Sequence, residues 1–151
     1  ELELVPGDLR ALLAEVVGTF ATAHRDISWT LEADADLPEL PFDAEGLRKV
    51  FINLLTNAAE ALEGRTDGEV LVRAAHDPAR GLARISVADN GPGFSPDERA
   101  RMFEPYFSRK KTGTGLGLTI VRSIIMDHKG QVRVEAARPK GSVFVVELPL
   151  A

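Results

Sequence analysis

The sequence predicts an α+β fold, in which a mixed, largely antiparallel sheet has helices packed on one face. Three features support this prediction. Strand-like segments mostly follow one another through turns or one helix, and the helical segments carry apolar residues at helical spacing. A long irregular stretch at 89–115 then separates a strand from the last helix. Irregular stretches of this length are unusual inside a compact domain and often cover a functional site.

The element order predicted from these signals is β-α-β-α-β-β, a long loop, then α-β-β. Strands are predicted at residues 2–5, 27–31, 69–75, 82–88, 131–137 and 142–148, and a loop at 32–41. Helices are predicted at 9–20, 43–63 and 118–128. Asp8 and Asp43 stand where the first two helices need N-caps, and Gly64 suits the end of the second. The capping-box pattern from Ser95 to Glu98 predicts a further, short helix.

The composition restricts the chain to a few classes of protein. With 151 residues, 44% hydrophobic and 27% charged, it fits one folded domain spanning 1–151. The absence of cysteine excludes disulfides, thiolate zinc sites and a cysteine nucleophile. No apolar run approaches the ~20 residues of a membrane helix and no signal peptide opens the chain, so we expect a cytoplasmic domain without direct membrane contact, although its full-length parent can be membrane-anchored.

The net charge of -5 argues against a nucleic-acid partner, because nucleic-acid binding needs a basic surface. The charge is unevenly spread: residues 1–46 hold 11 acids and 2 bases, and residues 47–151 hold 12 acids and 16 bases. A local basic excess falls within 13 positions, at Arg99, Arg101, Arg109, Lys110 and Lys111. This run is either an ordinary solvated surface or part of an anion site.

Two asparagines lie one turn apart on the predicted helix 43–63. Asn53 and Asn57 fall on the shoulder of its apolar face, where a side chain borders the core and faces a cleft. One amide oxygen at such a place suits a Mg²⁺ shell that is completed by phosphates and waters. The alternative is two solvated asparagines on the flank of a helix.

The segment Asp89-Asn90-Gly91-Pro92-Gly93 directly follows a predicted strand. A carboxylate at a strand end, flanked by glycines that let the backbone approach a ligand, suits recognition of an exocyclic amine such as that of adenine. The alternative is a plain Asn-Gly turn that ends the strand.

The run Gly113-Thr114-Gly115-Leu116-Gly117-Leu118 opens the last predicted helix, with Lys110 just upstream. Exposed N–H groups and the helix dipole make such a helix N-terminus an anion site. The run is not a P-loop, because no G-x-x-x-x-G-K-[ST] occurs in the chain. It also differs from the dinucleotide fingerprint, which follows a strand directly, and the protein-kinase motifs are missing. Each signal is weak alone. The asparagine-bearing helix, the Asp-x-Gly-x-Gly segment after a strand, the basic run and the glycine run that opens a helix are highly specific when they occur together in this order.

Together these motifs resemble the catalytic domain of two-component sensor histidine kinases, in the superfamily shared with gyrase, Hsp90 and MutL. Residues 53–62 resemble the N box, 89–93 the first glycine box, 103–107 the F box and 113–117 the second glycine box. The resemblance runs from about Asp8 to Leu150, and its wording looks closest to nitrogen-regulation-type kinases. It implies a two-layer α/β sandwich of the Bergerat type, with ATP held between the N-box helix and a mobile lid at about 91–115.

The resemblance also implies roles for individual residues. Asn57 would coordinate Mg²⁺, and Asp89 would accept from the adenine amino group in a pocket shaped by Gly91 and Gly93. Ser142 matches the position whose hydroxyl helps hold adenine. The remaining expected contacts are with the phosphates, and they come from Lys110, Gly113, Thr114, Gly115, Leu116, Gly117 and Leu118.

Two aromatic residues and two departures complete the comparison with the family pattern. Phe103 and Phe107 either anchor the lid or meet a partner domain, or they are simple core aromatics. Asn53 stands where many ATP-hydrolysing relatives carry glutamate, and an asparagine cannot act as a general base at neutral pH. This favours phosphotransfer over efficient hydrolysis and makes Asn53, with Lys110, a candidate catalytic residue. Lys129 stands where the family more often has glycine, and we expect no functional cost there.

The resemblance places the phosphoacceptor histidine on a separate helical hairpin, which we do not find in this chain. His24, His76 and His128 all fall within predicted elements or turns of the catalytic domain. The expected partners are therefore ATP, the phosphoacceptor domain of the same kinase and a downstream response regulator. Three alternatives remain: a hydrolytic ATPase of the same superfamily, a regulatory nucleotide-binding module without transfer activity, and a serine protein kinase of the anti-sigma-factor type.

Overall fold

The structure is a computed structural model that describes residues 2–105, 107 and 117–151. Its strands and helices occur in an order close to the predicted one. They are β1 Val5–Gly7, α1 Leu9–Ala23, β2 Ser28–Ala33, β3 Leu40–Phe42, α2 Ala44–Ala61, β4 Glu69–Asp77, β5 Leu82–Asp89, α3 Pro96–Arg101, α4 Gly117–Asp127, β6 Gln131–Ala136 and β7 Ser142–Pro149. Among the helices in these ranges, none has the length and apolar character needed to cross a membrane.

A five-stranded sheet in the order β2-β4-β5-β7-β6 forms the centre of the fold. The strands β4, β5, β7 and β6 pair antiparallel, while β2 pairs parallel with β4 because the chain crosses over through α2 between them. The prediction of a mixed, mostly antiparallel sheet is confirmed. A second, two-stranded sheet joins β1 to β3.

The three long helices cover one face of the five-stranded sheet. Contacts join α1 to β2, α2 to β5 and α4 to β6, and α2 packs between the other two helices. The strands bury alternate side chains toward these helices, since successive residues of a strand point to opposite faces. In β5 the buried residues are Ala83, Ile85, Val87 and Asp89. Asp89 therefore lies in line with the core, at the end of a central strand.

The pairing of β1 with β3 was not predicted. The strand expected at 2–5 is found at Val5–Gly7, and the loop expected at 32–41 ends in the strand Leu40–Phe42. Pro6 faces Pro41 in this pair, which a two-stranded sheet tolerates because its outer edges need no N–H donors. A Cβ at Gly7 would lie 2.8 Å from Cζ of Phe42, so Gly7 lets the ring pack against the backbone.

The helix caps are partly as predicted. Asp8 accepts a hydrogen bond from the N–H of Ala11 at 3.2 Å, and Ser95 forms the full capping box with Glu98. Asp43 is the N-cap residue of α2, but its side chain makes no capping bond. Instead its backbone N–H donates to Nε2 of the buried His128 at 3.0 Å. Nδ1 of the same ring lies 2.8 Å from the Ile124 carbonyl, so His128 ties the start of α2 to the end of α4.

The end of α4 forms a Schellman turn with a lysine at the left-handed position. The N–H of Gly130 donates to the Ile125 carbonyl at 2.9 Å, and that of Lys129 to the Met126 carbonyl at 2.9 Å. Lys129 has φ 62°, which L residues other than glycine adopt only at a free-energy cost. Gly130 is required sterically, because a Cβ there would overlap the carbonyl oxygen of Glu147.

We expect Lys129→Gly to raise the free energy of unfolding by about 1 kcal/mol, because glycine adopts φ > 0 without the Cβ penalty. Urea denaturation of the chain measures this difference. Gly130→Ala is the matched variant in the same turn, and we expect it to destabilise the chain because its Cβ has no room. An unchanged or lower stability of Lys129→Gly would mean that the lysine stabilises the turn by other contacts.

Candidate functional site

Asp89 is a buried carboxylate at the end of β5. Only 5% of the residue is exposed. Its Oδ1 accepts a hydrogen bond from the N–H of Gly91 at 2.9 Å, and its Oδ2 accepts one from Oγ of Ser142 at 2.9 Å. The second bond follows from the β5–β7 register, which places Asp89 directly opposite Ser142. Both residues are predicted from the sequence to lie in one pocket, and the structure brings them together.

Burial raises the pKa of Asp89 above its ordinary value of 3.8, because desolvation disfavours the charged form. The hydrogen bonds from Gly91 and Ser142 oppose this shift, and so does the positive charge of Arg65. A carboxylate has about four lone-pair sites, so the bonds from Gly91 and Ser142 leave an acceptor position for a further donor. The arrangement suits acceptance of a hydrogen bond from a ligand amino group.

Glycines allow three backbone segments to meet around Asp89. A Cβ at Gly91 would lie 3.0 Å from the carbonyl oxygen and 3.1 Å from the Cβ of Ala61, at the end of α2. Gly93 has φ 74°, and its Cβ would lie 2.9 Å from the Gly141 carbonyl oxygen. Gly141 has φ 104° and packs directly on the backbone of Asp89. Side chains at these positions would force the segments apart.

Asn53 lies beside the first residue of α4. Its Nδ2 donates to the Lys49 carbonyl at 2.9 Å, so the amide oxygen points away from the helix backbone. That Oδ1 lies 2.9 Å from where a Cβ would sit on Gly117. Leu118 follows and packs against the core. The N-box and glycine-box residues on these two helices are therefore neighbours.

Asn57 lies one turn further along α2, where its side chain is half-buried. Within the part of the chain that the structure describes, the Asn57 side chain makes no hydrogen bond, so its amide is available to a ligand. Asn53, Asn57 and Ala61 are spaced at i, i+4 and i+8 and form one row on α2. Gly117 borders this row at Asn53, and Gly91 borders it at Ala61. At 1.5 Å per residue the row is about 12 Å long.

Five predicted phosphate-contacting residues, Lys110, Gly113, Thr114, Gly115 and Leu116, lie outside the described residues, as does most of the predicted lid after residue 105. Phe103 and Phe107 both pack against the core, as their simpler interpretation predicted. Phe103 meets Phe144 edge-on with ring centroids 6.2 Å apart, and Arg101 lies 5.0 Å over the ring of Phe107.

Two residues next to the carboxylate site, Arg65 and Asn90, have no role predicted from the sequence. Asn90 is hydrogen-bonded through its backbone and side chain to Glu69 at the start of β4 and through its side chain to Asp67 just before it. Arg65 Nη1 donates to the Asn90 carbonyl at 3.3 Å. Asn90 lies within the predicted first glycine box, and this position could have marked it as part of the site. Nothing local marks Arg65, because its contact is made across 25 residues.

Comparison with known proteins gives matches over the same residues. The family model described as "Histidine kinase-, DNA gyrase B-, and HSP90-like ATPase" matches residues 42–151. The chain is 39% identical over 128 residues to the sensor histidine kinase ZraS of Klebsiella oxytoca, covering 85% of this chain and 27% of that protein. It is 40% identical over 129 residues to the sensory histidine kinase/phosphatase NtrB of Rhodobacter capsulatus, covering 78% of this chain and 36% of that protein. The chain thus spans about a third or less of these relatives.

Solved structures match the fold as a whole. The catalytic domain of histidine kinase ThkA superposes with a TM-score of 0.87 at 33% identity, covering 98% of this chain and 96% of that one. Full-length ShkA in complex with AMPPNP gives a TM-score of 0.86 at 34% identity, covering all of this chain and 32% of that one. ThkA in complex with the response regulator TrrA gives 0.84 at 31% identity, covering 99% of this chain and 42% of that one.

We expect Asp89→Asn to raise the free energy of unfolding of the ligand-free chain at neutral pH, where the buried native carboxylate is the less favoured, charged form. The folded-state pKa of Asp89 is raised, so its contribution to stability is present at acid pH and is lost as pH rises through that pKa. Asparagine is neutral throughout, keeps an acceptor for Gly91 and can donate to Ser142. The advantage should therefore vanish on acidification, as urea denaturation at several pH values would measure. A lower stability of Asp89→Asn at neutral pH would contradict the assignment.

Proposed function

Since the chain belongs to the histidine kinase-, DNA gyrase B- and Hsp90-like ATPase family, we propose that it binds Mg-ATP and donates the γ-phosphate to a histidine on a separate hairpin domain. The resemblance inferred from the four boxes is confirmed. The match to NtrB agrees with the likeness of the box sequences to nitrogen-regulation-type kinases. The catalytic-domain architecture is that of solved histidine kinases.

The row formed by Asn53, Asn57 and Ala61 carries the proposal. It joins the buried carboxylate site, through Gly91, to the N-terminus of α4, through Gly117. One end of the row suits a base with an exocyclic amine, and the other suits phosphates. The row is about 12 Å long, so we infer that a single ligand with a base at one end and phosphates at the other spans it.

The base lies at the Asp89 end. Asp89 accepts from the adenine amino group, and Ser142 holds the carboxylate and contributes its hydroxyl to the pocket, as their mutual bond of 2.9 Å supports. Gly91 and Gly93 shape the pocket because side chains at either position would meet Ala61 or Gly141. Discrimination against bases without this amine follows, since the buried carboxylate would be left without its donor.

The phosphates lie at the start of α4. Free N–H groups and the dipole at a helix N-terminus attract anions, and Gly117 and Leu118 open this helix. The rest of the phosphate site comes from the lid at about 91–115 and the turn that follows it. Its contributors are Lys110, Gly113, Thr114, Gly115 and Leu116. Thr119 supports this end of α4, because its Oγ donates to the Phe103 carbonyl at 3.2 Å.

Asn57 is the residue that fits a magnesium ion. Its half-buried amide, unengaged in the described part of the chain, lies between the base end and the phosphate end of the row. Amide oxygens are suitable Mg²⁺ ligands, and the ion usually keeps several waters and takes substrate phosphates as further ligands. When bound, Mg²⁺ offsets the negative charge of the phosphates.

In the transfer reaction, an imidazole nitrogen of the partner hairpin forms a bond to the γ-phosphorus while the bond to the β-γ bridging oxygen breaks and ADP leaves. The chain supplies position and charge to this step, with Lys110 countering the charge of the γ-phosphate. Asn53 borders the phosphate end but cannot deprotonate a water, and this favours transfer over hydrolysis. A response regulator then receives the phosphoryl group from the hairpin histidine. We place this reaction in the cytoplasm.

We expect the native chain to bind a non-hydrolysable ATP analogue with Mg²⁺, and Asp89→Ala to weaken binding more than about tenfold, because the adenine amine loses its acceptor. Asn57→Ala should remove most of the dependence on Mg²⁺ while leaving metal-free binding nearly unchanged. Isothermal titration calorimetry measures both. Ser86→Ala on the opposite face of the same strand is the control. Native-like binding by Asp89→Ala would contradict the base site.

We expect phosphotransfer when the chain is mixed with a histidine-bearing hairpin domain of a nitrogen-regulation-type kinase and radiolabelled ATP. The label should appear on the hairpin and be acid-labile, as a phosphohistidine is. A hairpin whose histidine is replaced by glutamine is the control. Release of free phosphate without labelled hairpin would favour the hydrolytic ATPase, and binding without either product would favour the regulatory module.

A further inference from the structure

The residue after Asp89 is fixed by four hydrogen bonds to a single segment. Asn90 N–H donates to the Glu69 carbonyl at 3.3 Å, and its Oδ1 accepts from the Glu69 N–H at 2.7 Å. Its Nδ2 donates to the Asp67 carbonyl at 2.8 Å, and its own carbonyl accepts from Arg65 Nη1 at 3.3 Å. Every polar group of Asn90 is engaged by residues 65–69, which end the connection after α2 and begin β4, so the peptide that follows Asp89 has one orientation.

Arg65 also acts on Asp89 through its charge. Burial raises the pKa of Asp89, and the positive charge of Arg65 opposes this effect by lowering it. The neighbouring charges of Asp67 and Lys140 face each other at 4.0 Å and offset one another. Glu69 is exposed and engages Asn90 through its backbone, and Glu60 on the last turn of α2 is also exposed.

We propose that Arg65 and Asn90 are positioning residues for the base site, which fix the Asp89 carboxylate in the orientation that accepts the base amine without touching the nucleotide themselves. Asn90 supplies the geometry, because it locks the turn that carries Gly91, whose N–H bonds Asp89. Arg65 supplies both a bond to that turn and the positive charge that favours the ionised carboxylate. This inference depends on the proposed function, because it assigns the base to Asp89.

The test compares Arg65→Gln with the native chain in calorimetric titrations with a non-hydrolysable ATP analogue and Mg²⁺ from neutral to acid pH. We expect Arg65→Gln to bind about fivefold more weakly at neutral pH. We also expect its acid-side loss of binding to occur at higher pH, because Asp89 protonates more readily without the nearby charge. Arg65→Lys should restore the native pH profile in large part, since it keeps the charge.

Arg48→Gln is the matched control, because it removes an arginine from α2 whose ion pair with Glu15 at 3.2 Å is exposed and remote from Asp89. We expect it to leave the pH profile unchanged. Asn90→Asp keeps the acceptor for the Glu69 N–H but loses the donor to the Asp67 carbonyl. It also adds a like charge beside Asp89, so we expect it to shift the pH profile further than Arg65→Gln does. Circular dichroism on each variant establishes that the fold is intact.

Two outcomes overturn the inference in distinguishable ways. If the native chain binds no ATP analogue at any pH, the proposed function fails and this inference fails with it. If the native chain binds and Arg65→Gln has the same affinity and pH profile as the native chain and Arg48→Gln, the proposed function stands and the positioning role alone is wrong.

Discussion

The hydrogen bonds that hold the buried carboxylate of Asp89 impose conditions on the backbone around it. Gly91 has to turn its N–H back toward Oδ1, and Ser142 has to face Oδ2 from the neighbouring strand. These conditions explain why glycines occur at 91, 93 and 141, where three segments approach one another more closely than side chains allow. The shape of the pocket therefore follows from the need to hydrogen-bond a buried carboxylate.

The helix α2 contributes to the core and to the site with two adjacent stripes. Its buried residues, among them Phe51 and Leu54, make it the central helix of its layer. The row of Asn53, Asn57 and Ala61 runs beside that stripe and borders Gly91 after β5 and Gly117 at the start of α4. Because the packed stripe fixes the rotation of the helix, it also fixes where the two amides point. Packing here determines the geometry of the site.

Local signals predicted most elements and the site motifs. The capping box from Ser95 to Glu98 and the apolar stripe of α2 are interactions within a few residues, so the sequence alone was sufficient for them. Features that depend on distant partners were missed. The strand at Leu40–Phe42 exists because Phe42 packs on Gly7, and the buried ring of His128 bonds Asp43 across 85 residues.

The same distinction applies within the site. Asp89 and Ser142 could be paired only through resemblance to a family, since 53 residues separate them and only the register makes them partners. Lys129 was expected to carry no functional cost, and the structure adds a separate, conformational one because its φ is positive. The left-handed turn itself is made by local hydrogen bonds from Lys129 and Gly130. The contact of Gly130 with Glu147 of β7 is tertiary, and no local pattern reveals it.

The register of β5 against β7 restricts how this gene can change in length. Cross-strand partners share a face, so a slip of one residue would place Val143 opposite Asp89 and turn the alternate buried residues of β7 toward solvent. Insertions and deletions between these strands are therefore tolerable only where a loop absorbs them without moving either strand. Natural variation in length should therefore accumulate in the loops. In functional relatives, Ser142 should keep its position at the start of β7, opposite Asp89.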